Sequence, residues 1–218
     1  MKTLILILSF SFTLTAFGQE SLVDSPDSGI INKAKIIAEA KNLMVRGKKE
    51  GKWMEYRNRE GDISADTNSP YYSLSVYRKG KPYGIVRVYD EESGKLFSEL
   101  PYDAKGKENG IEKQYYESGK IEYERTYVND KRNGILKEYY ESGKLEMENQ
   151  WTADELIGVS KFYYESGKLQ EEDSYTNDVL NGTVKEYYES GVLKDVTAYN
   201  NGEKGTAINY DENGSEIK

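Results

Sequence analysis

Twenty tyrosines stand in a chain of 218 residues that has no histidine and no cysteine. That composition limits the chemistry. Without His or Cys there is no Ser-His-Asp triad, no thiolate nucleophile, no imidazole base and no ordinary zinc, copper or iron site. Carboxylates, lysines, phenols and oxygen-ligand cation sites remain. Adjacent acids such as Glu171 and Glu172 carry the groups that glycoside cleavage uses. That reaction needs two carboxyls across a cleft, one with a raised pKa. Alternating Glu and Lys reads more simply as a solvated, salt-laced strand face. Asp211-Glu212-Asn213-Gly214 and Asn129-Asp130 read as turns, because the ligand spacing of a calcium loop is missing. No catalytic residue, no cofactor-binding residue and no metal ligand is assigned, and no cofactor is expected.

The tyrosines are the remaining candidates, and their spacing is regular. Tyr-Tyr-Glu-Ser-Gly begins at Tyr115, Tyr139, Tyr163 and Tyr187, each start 24 residues after the last. A fixed period of this size marks a repeat array. The first Tyr of each pair lies five residues beyond a glycine (Gly110, Gly134, Gly158, Gly182), with Ile111, Ile135, Val159 or Thr183 next to that glycine. Tyr and β-branched residue are four apart, so they share one face of a strand. We assign Tyr115, Tyr139, Tyr163 and Tyr187 to the scaffold. Tyr116, Tyr140, Tyr164 and Tyr188 point the other way and are better candidates for partner contact than the first tyrosines, although packing in a solvated row is the favoured reading for them too.

The elements that position these rings are hairpins. After each Glu-Ser-Gly step comes Ile121, Leu145, Leu169 or Leu193, and six residues later Tyr127, Trp151, Tyr175 or Tyr199. Both separations are even, so the period is two and each unit is a pair of strands whose Leu and aromatic share a face. Gly119, Gly143, Gly167 and Gly191 supply a left-handed residue to the short loop, and Asn-Asp or Asn-Gly pairs return the chain to the next unit. Degenerate units start at Gly51 and Gly84, and a truncated one at Gly205. The fold class is all-β: an elongated single-layer antiparallel β-meander of about seven hairpins over residues 45–218. One face is expected to be stitched by Tyr, Leu, Ile and Trp. The other is expected to carry Glu, Gln, Lys and the second tyrosines. Positions that vary between units, such as Glu112, Leu136, Ser160 and Val184, are where function is sought.

Residues 1–18 read as a signal peptide: Lys2, an apolar run from Leu4, and Ala16-Phe17-Gly18 before the cut. Export to the periplasm, outer surface or medium is expected. Residues 19–44 form a linker and cap, with 30–44 readable as a short helix or as a strand guarding the sheet edge. The formal net charge of -8, with Lys interleaved among Glu, argues against nucleic acid as a partner. No segment after the leader is apolar enough to span a membrane.

The run Gly-x-x-Lys-x-Tyr-Tyr-Glu-Ser-Gly-Lys-Leu, with a downstream Tyr or Trp and an Asn-Gly closure, resembles the MORN-repeat variant. It is similar to proteins of the YwqK antitoxin family. The resemblance covers residues 45–218. It implies an elongated β-meander without a catalytic centre, used for protein–protein contact and, in some MORN proteins, lipid contact. The expected role is a non-enzymatic binding or scaffolding surface for another protein. The alternatives are an antitoxin or immunity protein and, on the Tyr-rich face, a carbohydrate binder.

Overall fold

A computed structural model describes residues 37–217. The signal-peptide segment 1–18 and most of the linker and cap, up to residue 36, lie outside the described residues. Residues 37–39 are helical, and the next ordered piece is a short strand. The strands are β1 Leu43–Val45, β2 Lys48–Arg57, β3 Ile63–Ser64, β4 Tyr71–Arg78, β5 Lys81–Asp90, β6 Leu96–Tyr102, β7 Gly110–Tyr115 and β8 Ile121–Val128. They continue as β9 Lys131–Tyr139, β10 Leu145–Thr152, β11 Glu155–Tyr163, β12 Leu169–Thr176, β13 Val179–Tyr187, β14 Leu193–Asn200, β15 Glu203–Tyr210 and β16 Glu216–Ile217. The 16 strands among the described residues join one antiparallel sheet in chain order, except that β3 pairs with β2 to one side. The meander read from the 24-residue period is the architecture found.

Two kinds of turn alternate. Within a unit, the Gly143 N–H donates to the Tyr140 carbonyl at 2.7 Å and the Tyr140 N–H to the Lys144 carbonyl at 2.9 Å. Gly143 holds φ +89°, a conformation that glycine adopts without penalty. Between units, both central residues are left-handed: Asn129 and Asp130 at +53° and +69°, Ala153 and Asp154 at +54° and +78°. That is the two-residue hairpin turn whose twist matches a β-ribbon. The turn aspartates also clamp neighbouring units. The Asp154 N–H donates to the Arg132 carbonyl at 3.0 Å, and the Arg132 N–H to Asp154 Oδ1 at 2.8 Å. Asp130 with Glu108 and Asp178 with Leu156 repeat this arrangement.

The strand register corrects the expected division of faces. Residues directly opposite across a ladder share a face. Leu145 is opposite Tyr139, but a bulge between Leu145 and Met147 inserts one residue, and Trp151 then falls opposite Gly134. Leu145 therefore joins the first Tyr on one side of the sheet (face A). Trp151 lies on the other (face B) with Met147 and Asn149. The even count of six was right as arithmetic, but an inserted bulge residue reverses the alternation beyond it. The same shift recurs at Tyr115, Tyr163 and Tyr187.

Face A is mostly charged along its midline. In register across successive strands run Arg87, Glu99, Lys113, Glu124, Lys137, Glu148, Lys161, Glu172 and Lys185. Arg87 meets Glu99 at 2.7 Å and Lys113 meets Glu124 at 3.2 Å. The β-branched row expected to stitch this face is largely open, with Ile111 at 51%, Ile135 at 43% and Val159 at 45% exposure. Before Arg87 the same line is apolar, with Met54 opposite Leu74. There the sheet has a true cluster: Tyr72, Leu74 and Tyr89 are buried, with Met54, Tyr56 and Leu96 against them. Face B buries a narrow row instead, including Leu136, Asn149, Ser160, Asp173 and Thr197.

Candidate functional site

The second tyrosines form a hydrogen-bonded column. Tyr116 Oη donates to the Tyr139 carbonyl at 2.6 Å, and Tyr140 Oη to the Tyr163 carbonyl at 2.6 Å. Tyr164 reaches Tyr187 at 2.7 Å and Tyr188 reaches Tyr210 at 2.8 Å. Each residue singled out for contact thus ties its own unit to the next. Burial, then nearby glutamates, raise the phenol pKa of Tyr116 and Tyr140, which keeps the donating proton in place. Lys120 and Lys144 follow the same path, with Nζ on the Glu141 and Glu165 carbonyls at 2.8 Å. Tyr115, Tyr139 and Tyr187 use their hydroxyls on face A, donating to Glu99, Glu124 and Glu172 at 3.0–3.1 Å. Trp151 is covered by the Arg132 guanidinium, 3.7 Å from the ring centroid.

The variable positions sort differently from expectation. Leu136 and Ser160 are buried on face B, at 6% and 1% exposure. They vary because face B is filled differently in each unit, and they are covered from a partner. Glu112 is engaged too: Tyr123 Oη donates to it at 3.0 Å and Arg125 lies 3.6 Å away. Val184 sits half-buried in the same row, between Asp173 and Thr197.

The column begins at Tyr116, and the unit before it breaks the pattern. There the chain reads Tyr89-Asp90-Glu91-Glu92-Ser93-Gly94, one residue longer than Tyr-Tyr-Glu-Ser-Gly, with Asp90 in the second-Tyr position. Asp90 turns back on its own loop. Its Oδ1 accepts from the Ser93 N–H and from Ser93 Oγ, both at 2.7 Å. A carboxylate is also too short to cross to the next unit as a phenol does. Beside it lies a groove of about 580 Å³ lined by Tyr71, Asp90, Glu92, Ser93, Lys95, Leu96, Phe97, Tyr115, Tyr116, Glu117 and Glu122. Tyr71 and Phe97 stack along it with centroids 4.6 Å apart and planes 28° from parallel.

The groove is acidic. Four carboxyl side chains (Asp90, Glu92, Glu117, Glu122) face one ammonium, Lys95. That ammonium is committed, with Nζ 2.9 Å from the Glu117 carbonyl and 3.7 Å from its carboxylate. Glu122 accepts from Gln114 Nε2 at 2.7 Å. The sequence pattern brings none of Tyr71, Asp90 and Phe97 together. The signal that could have found the place is the extra residue and the missing Tyr at Asp90, a defect in an otherwise strict repeat. These carboxyls are not grouped so that three or more could hold one metal ion, nor is there such a group elsewhere among the described residues.

A second polar feature lies on face B. Glu171 is opposite Phe162 on one side and Glu186 on the other, and Asp173 follows it on the same face. Burial first, then Asp173 and Glu186, push the Glu171 carboxyl up to about 7. Asp173 is raised as well, mainly by burial, while Tyr175 Oη donates to it at 3.4 Å.

Known proteins bear on the repeat itself. No curated protein matches the chain in sequence. Among solved structures, the chain resembles part of TarM, known from a crystal structure, at 7% identity and a TM-score of 0.28. That likeness covers 61% of this chain and 20% of TarM, so the chain spans about a fifth of that protein's length. Residues 108–129, 132–152, 156–177 and 180–201 each match the MORN repeat variant. These four matches begin two residues before Gly110, Gly134, Gly158 and Gly182 and end at the left-handed turns, so one repeat is one hairpin. The units at Gly51, Gly84 and Gly205 lie outside the matches but extend the same sheet. Over residues 108–201 the chain matches the MORN repeat variant four times in succession.

Proposed function

We propose that this is an exported, non-enzymatic scaffold that binds another protein along its sheet. The observation that carries the reading is the lattice between units. Second tyrosines, lysines and turn aspartates bond successive regular hairpins to one another and hold an open ribbon that has no second layer among the described residues. A rigid ribbon with two accessible faces suits docking of a macromolecule. Export rests on the leader-like residues 1–18, and antitoxin or immunity action rests on the resemblance to the YwqK family alone.

The test uses the protein beginning at Gln19, immobilised and exposed to native envelope extract. We expect one stoichiometric protein partner whose purified form binds again on its own. A partner that is toxic without this protein moves the reading to immunity. Retention on glycans with no protein partner overturns the scaffold reading. Cell fractionation of the full chain tests export, and a cytoplasmic, uncleaved product would overturn it.

A further inference from the structure

We propose that the groove at the start of the tyrosine column is a socket for an arginine side chain of the bound protein. The inference rests on the scaffold reading and names where and how the partner is gripped.

In the four regular steps, a phenol from one unit fills the space before the next and donates to a main-chain carbonyl. One step earlier the phenol is replaced by Asp90, which bonds to Ser93. The equivalent acceptor is the Tyr115 carbonyl, and the carboxylate that stands in the phenol's place has no proton to donate to it. The space is the groove itself, which Tyr115 and Tyr116 border. It is therefore shaped for a planar group that donates hydrogen bonds.

Charge selects among such groups. The lining has three more carboxyls than ammonium groups, four against one, and the single ammonium is held by Glu117. A cationic donor is favoured over a phenol or an amide. The wall of the groove is the Tyr71–Phe97 stack. Guanidinium is planar, weakly hydrated and stacks on aromatic faces, whereas ammonium is a compact and strongly hydrated point charge. Arginine meets all three requirements: a planar donor for the carbonyl, a positive charge for the acids and a flat face for the rings. Elsewhere this chain makes the same contact internally, with Arg132 over Trp151 and Arg78 over Tyr83, each at 3.7 Å.

The test is a titration of the full mature chain with N-acetyl-arginine amide, followed by proton NMR of the Tyr71 and Phe97 rings. N-acetyl-lysine amide and the neutral isostere N-acetyl-citrulline amide are the controls. We expect saturable ring shifts with the arginine probe, and roughly tenfold weaker binding of both controls. Asp90→Tyr, which supplies the phenol that the column lacks, should abolish the shifts. Phe97→Ala should weaken the response at Tyr71 if Asp90→Tyr does not fold. Equal titration by arginine and lysine probes, or shifts that persist in both variants, overturns the socket. A captured partner that binds Asp90→Tyr protein as tightly as the parent also overturns it, while leaving the scaffold reading intact. If no partner is captured, the scaffold reading falls, and the small-probe titration still judges the groove.

Discussion

Strands β2 to β6 and strands β7 to β15 are built on one lattice, yet they are held together differently. In the first region the face A midline starts with Met54 and Leu74 and feeds a buried cluster. Tyr72 and Tyr89 stack there with centroids 5.4 Å apart, and burial lifts the Tyr72 phenol to about 12. In the second region the midline alternates in charge, and Tyr115, Tyr139, Tyr163 and Tyr187 are only half-buried. There the polar bonds between units recur at almost every step. One region relies on removing apolar surface from water, the other on many small directional bonds. The groove lies where the two meet. Register between β6 and β7 is reduced there to Ser98 with Gln114 and Glu99 with Lys113. A site at that seam meets an irregular loop and a regular column at once.

The comparison breaks most readily at Leu74. Leu74→Ala empties a cluster position at 3% exposure, and large-to-small changes of this kind cost about 2–5 kcal/mol. Leu136→Ala on the array should cost nearer the lower end, because Leu136 is flanked in its row by Arg125 and Asn149 and has little apolar company to lose. Urea denaturation of both variants measures this. Equal losses would show that the array has an apolar core of its own.

The turns come next in size. A Cβ at Gly143 meets no atom within 4 Å, so the main cost of Gly143→Val is the left-handed backbone, about 1–3 kcal/mol. Gly134→Ala has φ +131° and would bring a Cβ to 2.9 Å from Thr126 Cβ on the adjacent strand. It should destabilise by at least as much as Gly143→Val, although alanine is the smaller residue. Thermal unfolding that leaves Gly143→Val unchanged would remove the turn assignment. Loss in that variant but none in Gly134→Ala would mean that β8 and β9 shift apart easily.

Much of this was legible in the repeat. Period two, the turn glycines and the Asn-Asp returns gave hairpins in a meander, because those signals are local and recur. The faces beyond each turn were not legible. Glu122, Glu146, Gln170 and Lys194 look like ordinary strand residues, and only the ladder register reveals them as the extra residue at each bulge. Exposure was misjudged for a related reason: Ile111, Ile135 and Val159 lie on a face that no second layer among the described residues covers. The groove depends on Tyr71 reaching Phe97 from another strand, and spacing along the chain carries no trace of that contact. The second tyrosines were half legible. Their outward direction follows from alternation, but their hydroxyl partners lie 22 or 23 residues away, across a unit boundary.

Those hydroxyls sharpen the comparison further. Tyr140→Phe keeps the ring and removes one bond to a carbonyl, worth about 0.5–1.5 kcal/mol. The combined Tyr116, Tyr140 and Tyr164 to Phe variant should lose close to the sum, since the sites occupy separate steps of the column. Calorimetric unfolding decides it. A triple variant as stable as the parent would mean that the column orders the array without stabilising it.

The smallest effect expected is the pH response of Glu171, and it belongs to the array alone. The groups facing it are Asp173 on β12, Glu186 on β13 with Lys194 beside it, and the Phe162 ring on β11. Burial and the two acids raise its folded pKa from 4.5 to about 7. A carboxyl raised in this way binds its proton more tightly folded than unfolded. Its contribution is full below the unfolded value and is lost as pH rises from about 4.5 to about 7, with Asp173 acting in the same direction. Glu171 is only half-buried, so solvent screening reduces the effect to about 1 kcal/mol or less. Glu171→Gln should therefore match the parent at pH 5, exceed it in stability at pH 8, and flatten the slope between, as read by urea midpoints across that range. Replacing any acid of the aromatic cluster region should leave that slope in place. If Glu171→Gln leaves it too, the proton is shared elsewhere, and face B of the array is better hydrated than its buried row of Asn149, Ser160 and Asp173 indicates.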